Sequence, residues 1–230
     1  MRPRILLLAG ALAIPELLAA QAANPPAVRP ADIISGGVAA GLAVAPRLFG
    51  WGPDSAPCAP CSRADLPWFD RWVVHDPIPA WATASSIALL GLGAAVAVDL
   101  GRRERGAAYV VAAVQAGLWA GAATEVLKAA VGRTRPVLYT DGAAAAVGNA
   151  ENLRSFPSGH TAVAFSLATT YWLARRDLTG RPGAAGWLGF VAAAGVGVMR
   201  VTAGKHFPSD VLGGALLGAA SGVIVHAVRF

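Results

Sequence analysis

Apolar residues dominate the last two thirds of the chain in five stretches that short polar connections separate. The stretches cover residues 81–98, 107–127, 161–174, 186–198 and 211–228. Several of them are shorter than the roughly 20 residues that a helix needs to cross the hydrocarbon core, so flanking arginines and aromatic residues are expected at the interfaces. The pattern predicts an all-α fold, a polytopic membrane bundle with about six helices.

Two connections between consecutive stretches are short and rich in arginine, GRRERG at 101–106 and RRDLTGR at 175–181. Positive residues accumulate in cytoplasmic loops, so both connections are assigned to the cytoplasm and the others to the outer side. Each crossing moves the chain to the other side of the membrane, so counting the crossings back from these connections places residues 24–80 outside. The same count excludes the weakly apolar segment 33–49 as an additional complete crossing. The membrane core is then expected to cover residues 81–230.

The N-terminal segment 1–23 allows two interpretations. Arg2 and Arg4 precede an apolar run, and the small residues at 20–23 resemble the cleavage site of a signal peptide. The alternative is an uncleaved first membrane helix, and Glu16 fits neither interpretation perfectly. Both interpretations deliver residue 24 to the outer side of the membrane.

The composition agrees with a protein whose partner is the lipid bilayer. Hydrophobic residues make up 55% of the chain and charged residues 14%, whereas about a quarter of the residues in soluble domains are charged. The formal charge of +6 would also suit nucleic acid. The arginines, however, are scattered among apolar segments and do not line a solvated helix with interleaved aromatics, so no nucleic acid partner is expected.

Two cysteines and three glycines have candidate roles in packing. Cys58 and Cys61 lie in the expected outward segment, where oxidising surroundings favour a local disulfide over free thiols. Zinc would need two further ligands. Gly214, Gly218 and Gly222 recur every four residues, which is typical either of a dimer face or, as preferred here, of packing inside the bundle.

Ionisable residues of the apolar region collect at the expected outward ends of the stretches. An ionisable group at membrane depth is costly and is therefore a functional-site candidate. Three separate clusters converge on this face: Lys128 with Arg133 and Arg135; the turn Ser158, Gly159 and His160; and Arg200, His206 and Asp210.

The residue types in these clusters predict an anion site. Lys128, Arg135 and Arg200 bring positive charge without an equal number of outward carboxylates, and planar guanidinium groups suit phosphate oxygens. Ser158 is expected to be the N-cap of a helix, and Gly159 lets its backbone approach a ligand closely. A helix N-terminus would then present free N–H groups to the same anion.

His206 and Asp210 are expected to work together. Pro208 suits the first turn of a helix, which brings Asp210 near enough to accept a hydrogen bond from the His206 ring and so fix its tautomer. Two histidines and one aspartate among three cations would repel a divalent ion, so neither a metal ion nor a cofactor is expected. Glu125 is expected to pair with Lys128 or Arg133 and to position it.

Taken together, the three clusters resemble the three-part signature of the type 2 phosphatidic acid phosphatase superfamily. The resemblance rests on Lys128 with Arg135-Pro136, on Pro157-Ser158-Gly159-His160, and on Arg200 with His206 and Asp210. It implies a six-helix membrane phosphatase in which His206 is the nucleophile that forms a phosphohistidine, Asp210 orients it and His160 is the acid. It also implies a phosphate cage formed by Lys128, Arg135, Arg200, Ser158 and the Gly159 backbone. Met199 stands where the signature usually has serine.

The expected function is hydrolysis of a phosphate monoester or pyrophosphate on a membrane lipid. Phosphatidate, phosphatidylglycerol phosphate and polyprenyl pyrophosphate fit equally, because the surface facing the lipid tail is generic alanine, valine and leucine. The alternatives are a phosphotransferase between lipids and a non-catalytic anion-binding membrane protein. The loop charges predict location in the cytoplasmic membrane, with the site facing the periplasm or the cell exterior.

Overall fold

A computed structural model describes residues 27–230, which form helices and connecting turns with no β-strand among them. The six long helices are α1 Pro30–Leu48, α3 Pro79–Gly101, α4 Gly106–Val131, α6 Gly159–Thr179, α7 Gly183–Thr202 and α8 Pro208–Arg229. Two one-turn helices, α2 Trp68–Arg71 and α5 Ala143–Ala146, and three 3₁₀ turns, Arg63–Asp65, Pro136–Tyr139 and Ala150–Leu153, lie in the connections. The predicted all-α bundle is confirmed. The N-terminal segment 1–23 lies outside the described residues.

The helices extend beyond the apolar stretches that predicted them, at both ends. Hydropathy falls where charged residues begin, whereas the helical backbone continues through them. Lys128, His160 and Arg200 therefore lie within the terminal turns of helices, and not in loops. Five helical segments, those holding α1, α3, α4, α7 and α8, are long and apolar enough to cross a membrane. The more polar α6 lies among α3, α4, α7 and α8, and the hydroxyl-bearing residues in its middle, Ser166, Thr169 and Thr170, are buried there.

Both arginine-rich connections lie at one end of the bundle. Asp99, at the end of α3, binds Arg103 of the first connection at 2.8 Å and Arg175 at the end of α6 at 3.0 Å. At the same end, Tyr109 of α4 stacks on Phe230 with ring centroids 4.1 Å apart. The grouping of these two connections agrees with the sequence, and the side of the membrane that they face stays a prediction.

α1 differs from the sequence expectation for residues 24–80. It packs lengthwise along α4, with Asp32 bound to Arg229 at the arginine-rich end and Arg47 bound to Glu125 near the other. The chain therefore enters this bundle at the arginine-rich end, and α1 extends along the bundle. The count of apolar stretches did not include this helix, because polar side chains lower its hydropathy. These side chains hold it against α4, as in the hydrogen bond from Trp119 Nε1 to Ser35 Oγ at 2.9 Å.

The three glycines of α8 pack against α6. A β-carbon at Gly214 would lie 2.5 Å from the Ser158 carbonyl oxygen, and one at Gly218 would overlap the Ala162 carbonyl group. Gly222 meets α6 one turn further along. Packing inside the bundle is confirmed, and the alternative of a dimer face is wrong for this row of glycines.

The segment between α1 and α3 covers the end of the bundle opposite the arginine-rich connections. Cys58 and Cys61 are joined by a disulfide, as the sequence predicts. The Cys61 N–H donates to the carbonyl oxygen of Leu138 at 2.7 Å, which fastens the segment to the turn after α4. α2 in turn contacts the start of α8. The segment is therefore part of the wall around the residues described next.

Candidate active site

The three sequence clusters meet at the end of the bundle opposite the arginine-rich connections. The Ser158 N–H, at the start of α6, donates to the backbone oxygen of Asp210 in the first turn of α8 at 2.9 Å. A β-carbon at Gly159 would lie 3.7 Å from Lys128 Nζ in the last turn of α4. The N-terminus of α6 therefore lies beside the Lys128 ammonium group, and the closest contact that a side chain at Gly159 would make is with Thr124 Cγ2, at 3.2 Å.

His206 is buried, with 2% of its surface exposed, in the turn between α7 and α8. Its Nδ1 lies 2.8 Å from the Ser155 carbonyl oxygen. A carbonyl oxygen only accepts, so Nδ1 carries the proton and Nε2 keeps its lone pair. Burial, together with the positive charges of Arg135 and Arg200, lowers the pKa of His206 to about 4. The imidazole is therefore neutral at pH 7, the state that a nucleophile requires.

Asp210 does not form the direct hydrogen bond to His206 that the sequence suggested. Its Oδ2 lies 3.7 Å from His206 Nδ1, within electrostatic range but beyond hydrogen-bond distance. The carboxylate instead accepts from Ser155 Oγ at 2.6 Å and from the Phe207 N–H at 2.8 Å. The Asp210 carboxylate thus lies over the start of its own helix and is connected to His206 through Ser155, whose carbonyl oxygen faces His206 Nδ1.

His160 contacts a residue that sequence reasoning missed. Its Nε2 lies 3.0 Å from the hydroxyl of Ser86, in the second turn of α3. The adjacent Ser85 accepts a hydrogen bond from Arg200 Nη1 at 3.2 Å. Two consecutive serines in an otherwise apolar stretch, WATASSIALL, were the available signal. They bring α3, which the three clusters do not include, to the site.

The expected cage cations retain unused hydrogen-bonding capacity. Lys128 Nζ binds Glu125 at 3.0 Å, and Arg135 Nη2 lies 3.4 Å from Glu151. The Nε atoms of Arg135 and Arg200 are buried and have no hydrogen-bond partner within residues 27–230. Buried guanidinium N–H groups without an acceptor are costly, so they fit an anionic ligand between them.

Ser158 occupies the N-cap position of α6, as expected, but its side chain does not cap the helix. Its hydroxyl accepts instead from Thr161 Oγ1 at 2.9 Å. Within the described part of the chain, no side-chain hydrogen bond caps the first turn of α6. The N–H groups of this turn and the positive end of the helix dipole therefore remain available to a phosphate group.

Glu125 pairs with Lys128, which confirms one of its two expected partners. It also binds Arg47 and Arg154, each at 3.1 Å, so one carboxylate holds three cations. Arg133, the other expected partner, binds Asp70 and Asp210 instead. The sequence interpretation did not include Arg154 or Asp70, because their partners come from distant parts of the chain.

Comparisons with known proteins identify the family of the chain. A family model described as the PAP2 superfamily matches residues 106–230. Bacitracin transport permease protein BcrC of Bacillus licheniformis is 41% identical over 71 residues, 31% of this chain and 32% of that protein. Lipid A 1-phosphatase of Porphyromonas gingivalis is 37% identical over 91 residues, 40% of this chain and 17% of that protein. The matched segments thus cover a third or less of either relative. No solved structure matches the chain.

Proposed function

Because the chain belongs to the PAP2 superfamily, we propose that it hydrolyses a phosphate monoester or pyrophosphate on a membrane lipid through a phosphohistidine. One observation carries the proposal: a buried, neutral His206, whose Nε2 has no hydrogen-bond partner within residues 27–230, lies within electrostatic range of Arg135 and Arg200, whose Nε atoms also lack a partner there. A site that only bound anions would not need the Nε2 lone pair of His206. The apolar helices suit a substrate whose tail stays in the bilayer.

The proposed reaction has two steps, phosphorylation of His206 and hydrolysis of the phosphohistidine. In the first, His206 Nε2 forms a bond to phosphorus while the bond from phosphorus to the leaving oxygen breaks, and His160 gives that oxygen a proton. In the second, His160 takes a proton from water as the hydroxyl attacks phosphorus and His206 leaves. Throughout, the proton stays on His206 Nδ1, which donates it in a hydrogen bond to the Ser155 carbonyl oxygen, so the ring keeps one orientation.

The cage stabilises charge on the three equatorial phosphoryl oxygens. Lys128, Arg135 and Arg200 supply cations from three different elements, and the first turn of α6 supplies backbone N–H groups. Phosphoryl transfer depends mainly on such prepositioned charge and on in-line geometry. These residues therefore bind the phosphoryl group, which all the candidate lipids share. They do not distinguish one lipid tail from another.

Purified protein in detergent should release inorganic phosphate from a lipid phosphate without added acceptor, and orthovanadate should inhibit it as a mimic of the pentavalent transition state. A chelator should leave the rate unchanged, because the cage is built of cations. The measurement is phosphate release from phosphatidate, phosphatidylglycerol phosphate and polyprenyl pyrophosphate. Transfer to a second lipid without free phosphate would favour the phosphotransferase, and no turnover of any of the three would favour an anion-binding protein.

The proposed location is the cytoplasmic membrane, with the site facing the periplasm or the cell exterior. Arg102→Cys and Arg176→Cys, each in a Cys58→Ser, Cys61→Ser background, should resist an impermeant thiol reagent in intact cells. Ala144→Cys, on the exposed α5 at the site end, should react with the same reagent. Labelling of all three after cell lysis is the control. Reaction of the first two in intact cells would reverse the orientation.

A further inference from the structure

A buried carboxylate from outside the matched family region reaches the site. Asp70, on α2, is fully buried, and its Oδ1 accepts from the Ser209 N–H at 3.1 Å. Its Oδ2 accepts from Ser209 Oγ at 2.6 Å and from Arg133 Nη2 at 2.7 Å. The matched region begins at residue 106, so the PAP2 match does not include Asp70.

Arg133 bridges this carboxylate to Asp210. Its Nη1 donates to Asp210 Oδ1 at 2.5 Å and to Ser209 Oγ at 2.6 Å, while Nη2 binds Asp70. The guanidinium carbon lies 4.5 Å from the centre of the Phe207 ring. The two terminal nitrogens of the planar guanidinium thus contact two buried carboxylates, and these contacts fix the guanidinium in place.

The charges of this group bear on the proposed reaction. Asp70, Arg133 and Asp210 together carry one net negative charge, beside a neutral His206. When His206 Nε2 bonds to phosphorus, its ring becomes cationic. The net negative charge of the group then stabilises this cation. Without Asp70, Arg133 would neutralise Asp210 and leave the cationic ring without a counter-charge in a buried site, where electrostatic effects are strong.

We propose that Asp70 is a positioning residue for this reaction, which keeps Arg133 in place and leaves the Asp210 charge available to the phosphohistidine. This inference rests on the proposed function. Asp70 contacts neither substrate nor His206, so its effect is indirect. The competing explanation is that Asp70 only fastens α2 to α8 and contributes to stability.

Asp70→Asn should lower kcat about 10- to 100-fold, the usual cost of losing a residue that supports a catalytic group. KM and inhibition by orthovanadate should change less than about twofold, because the cage cations are untouched. The matched control is Asp65→Asn, an exposed carboxyl of the same segment, which should keep wild-type kinetics. An unchanged kcat in Asp70→Asn, or an equal loss in Asp65→Asn, would contradict the proposal.

A double substitution separates the effect of the Asp70 charge on the reaction from its effect in fastening α2 to α8. Asp70→Asn makes the group neutral and Arg133→Gln gives it two negative charges, whereas the two together restore one. Asp70→Asn with Arg133→Gln should therefore recover kcat at least about threefold over Asp70→Asn alone, a coupling of the size seen between contacting residues. Melting temperatures, measured in parallel, should fall further in the double variant.

The kinetic and thermal results distinguish the possible failures. If Asp70 only anchors α2, kcat should fall further in the double variant, along with its melting temperature, and the proposal is then wrong. If Asp70→Asn does not fold, the double variant is compared with Arg133→Gln alone: Asp210 is free of Arg133 in both, so their kcat values should agree within about twofold, and a further loss of about 10-fold in the double variant would overturn the proposal. Absence of phosphate release by the wild-type protein would overturn the proposed function and this inference together.

Discussion

Replacing His206 by alanine should reduce lipid phosphate hydrolysis by at least about 10³-fold, because the loss of a nucleophile removes the step that all later steps require. His160, the other histidine of the proposed mechanism, does not replace this nucleophile, because its Nε2 lies 3.0 Å from the Ser86 hydroxyl. The measurement is phosphate release in detergent, together with trapping of acid-labile phosphate on the protein. Both signals should be lost.

Two further variants test whether misfolding, or the loss of any histidine, could cause this loss of activity. His206→Asn keeps a side-chain donor for the Ser155 carbonyl oxygen but lacks Nε2, so it should fold and bind orthovanadate while remaining inactive. His226→Ala removes a histidine at the opposite end of the bundle, where its Nε2 lies 2.9 Å from Asp177, and should retain turnover. Wild-type phosphate release by His206→Ala would rule out the phosphohistidine mechanism.

The fold was predictable where hydropathy alone determines the structure. Each of the five apolar stretches became a helix, because backbone groups in a bilayer must be satisfied within the segment. α1 was less predictable, since its hydropathy is the lowest of the five helices able to span and its contacts to α4 depend on side chains far away in sequence. The count of spans from hydropathy therefore did not include α1 among the helices that run along the bundle.

The residues of the site were predictable to the extent that spacing encodes them. Lys128, Arg135 and Arg200 could be recognised as a group because their charges stand out from apolar surroundings. Asp70 has no such signal, and for Ser86 the adjacent Ser85 was only a weak one, because the contacts of a serine or an aspartate depend on which remote residue packs against it. Their contacts join residues 74 and 139 positions apart.

The relation between His206 and Asp210 shows the limit of spacing arguments. A separation of four residues places two side chains on one helical face only if both lie in the helix. α8 begins at Pro208, so His206 precedes it, and the Asp210 carboxylate is drawn back to the Phe207 N–H instead. The sequence therefore identified the pair, and the local backbone determined that Ser155 mediates their contact.

His160 can be separated from His206 by the leaving group of the substrate. If His160 is the general acid, its loss matters most for a poor leaving group, because an alkoxide needs a proton in the transition state whereas a nitrophenolate departs nearly unaided. His160→Ala should therefore slow cleavage of a lipid monoester by about 10²- to 10⁴-fold, the usual contribution of general acid catalysis. Formation of the phosphohistidine from nitrophenyl phosphate should be affected far less.

The second step complicates a steady-state comparison, because in the proposed mechanism His160 also activates the water that hydrolyses the phosphohistidine. The measurement is therefore a single-turnover burst of nitrophenol, in which only the first step is observed. His160→Ala should retain most of the burst rate and then stall as the phosphorylated protein, whereas His206→Ala should give no burst. Equal losses of the burst and of lipid monoester cleavage in His160→Ala would mean that His160 binds the phosphate or shapes the site, next to Ser86, and is not the acid.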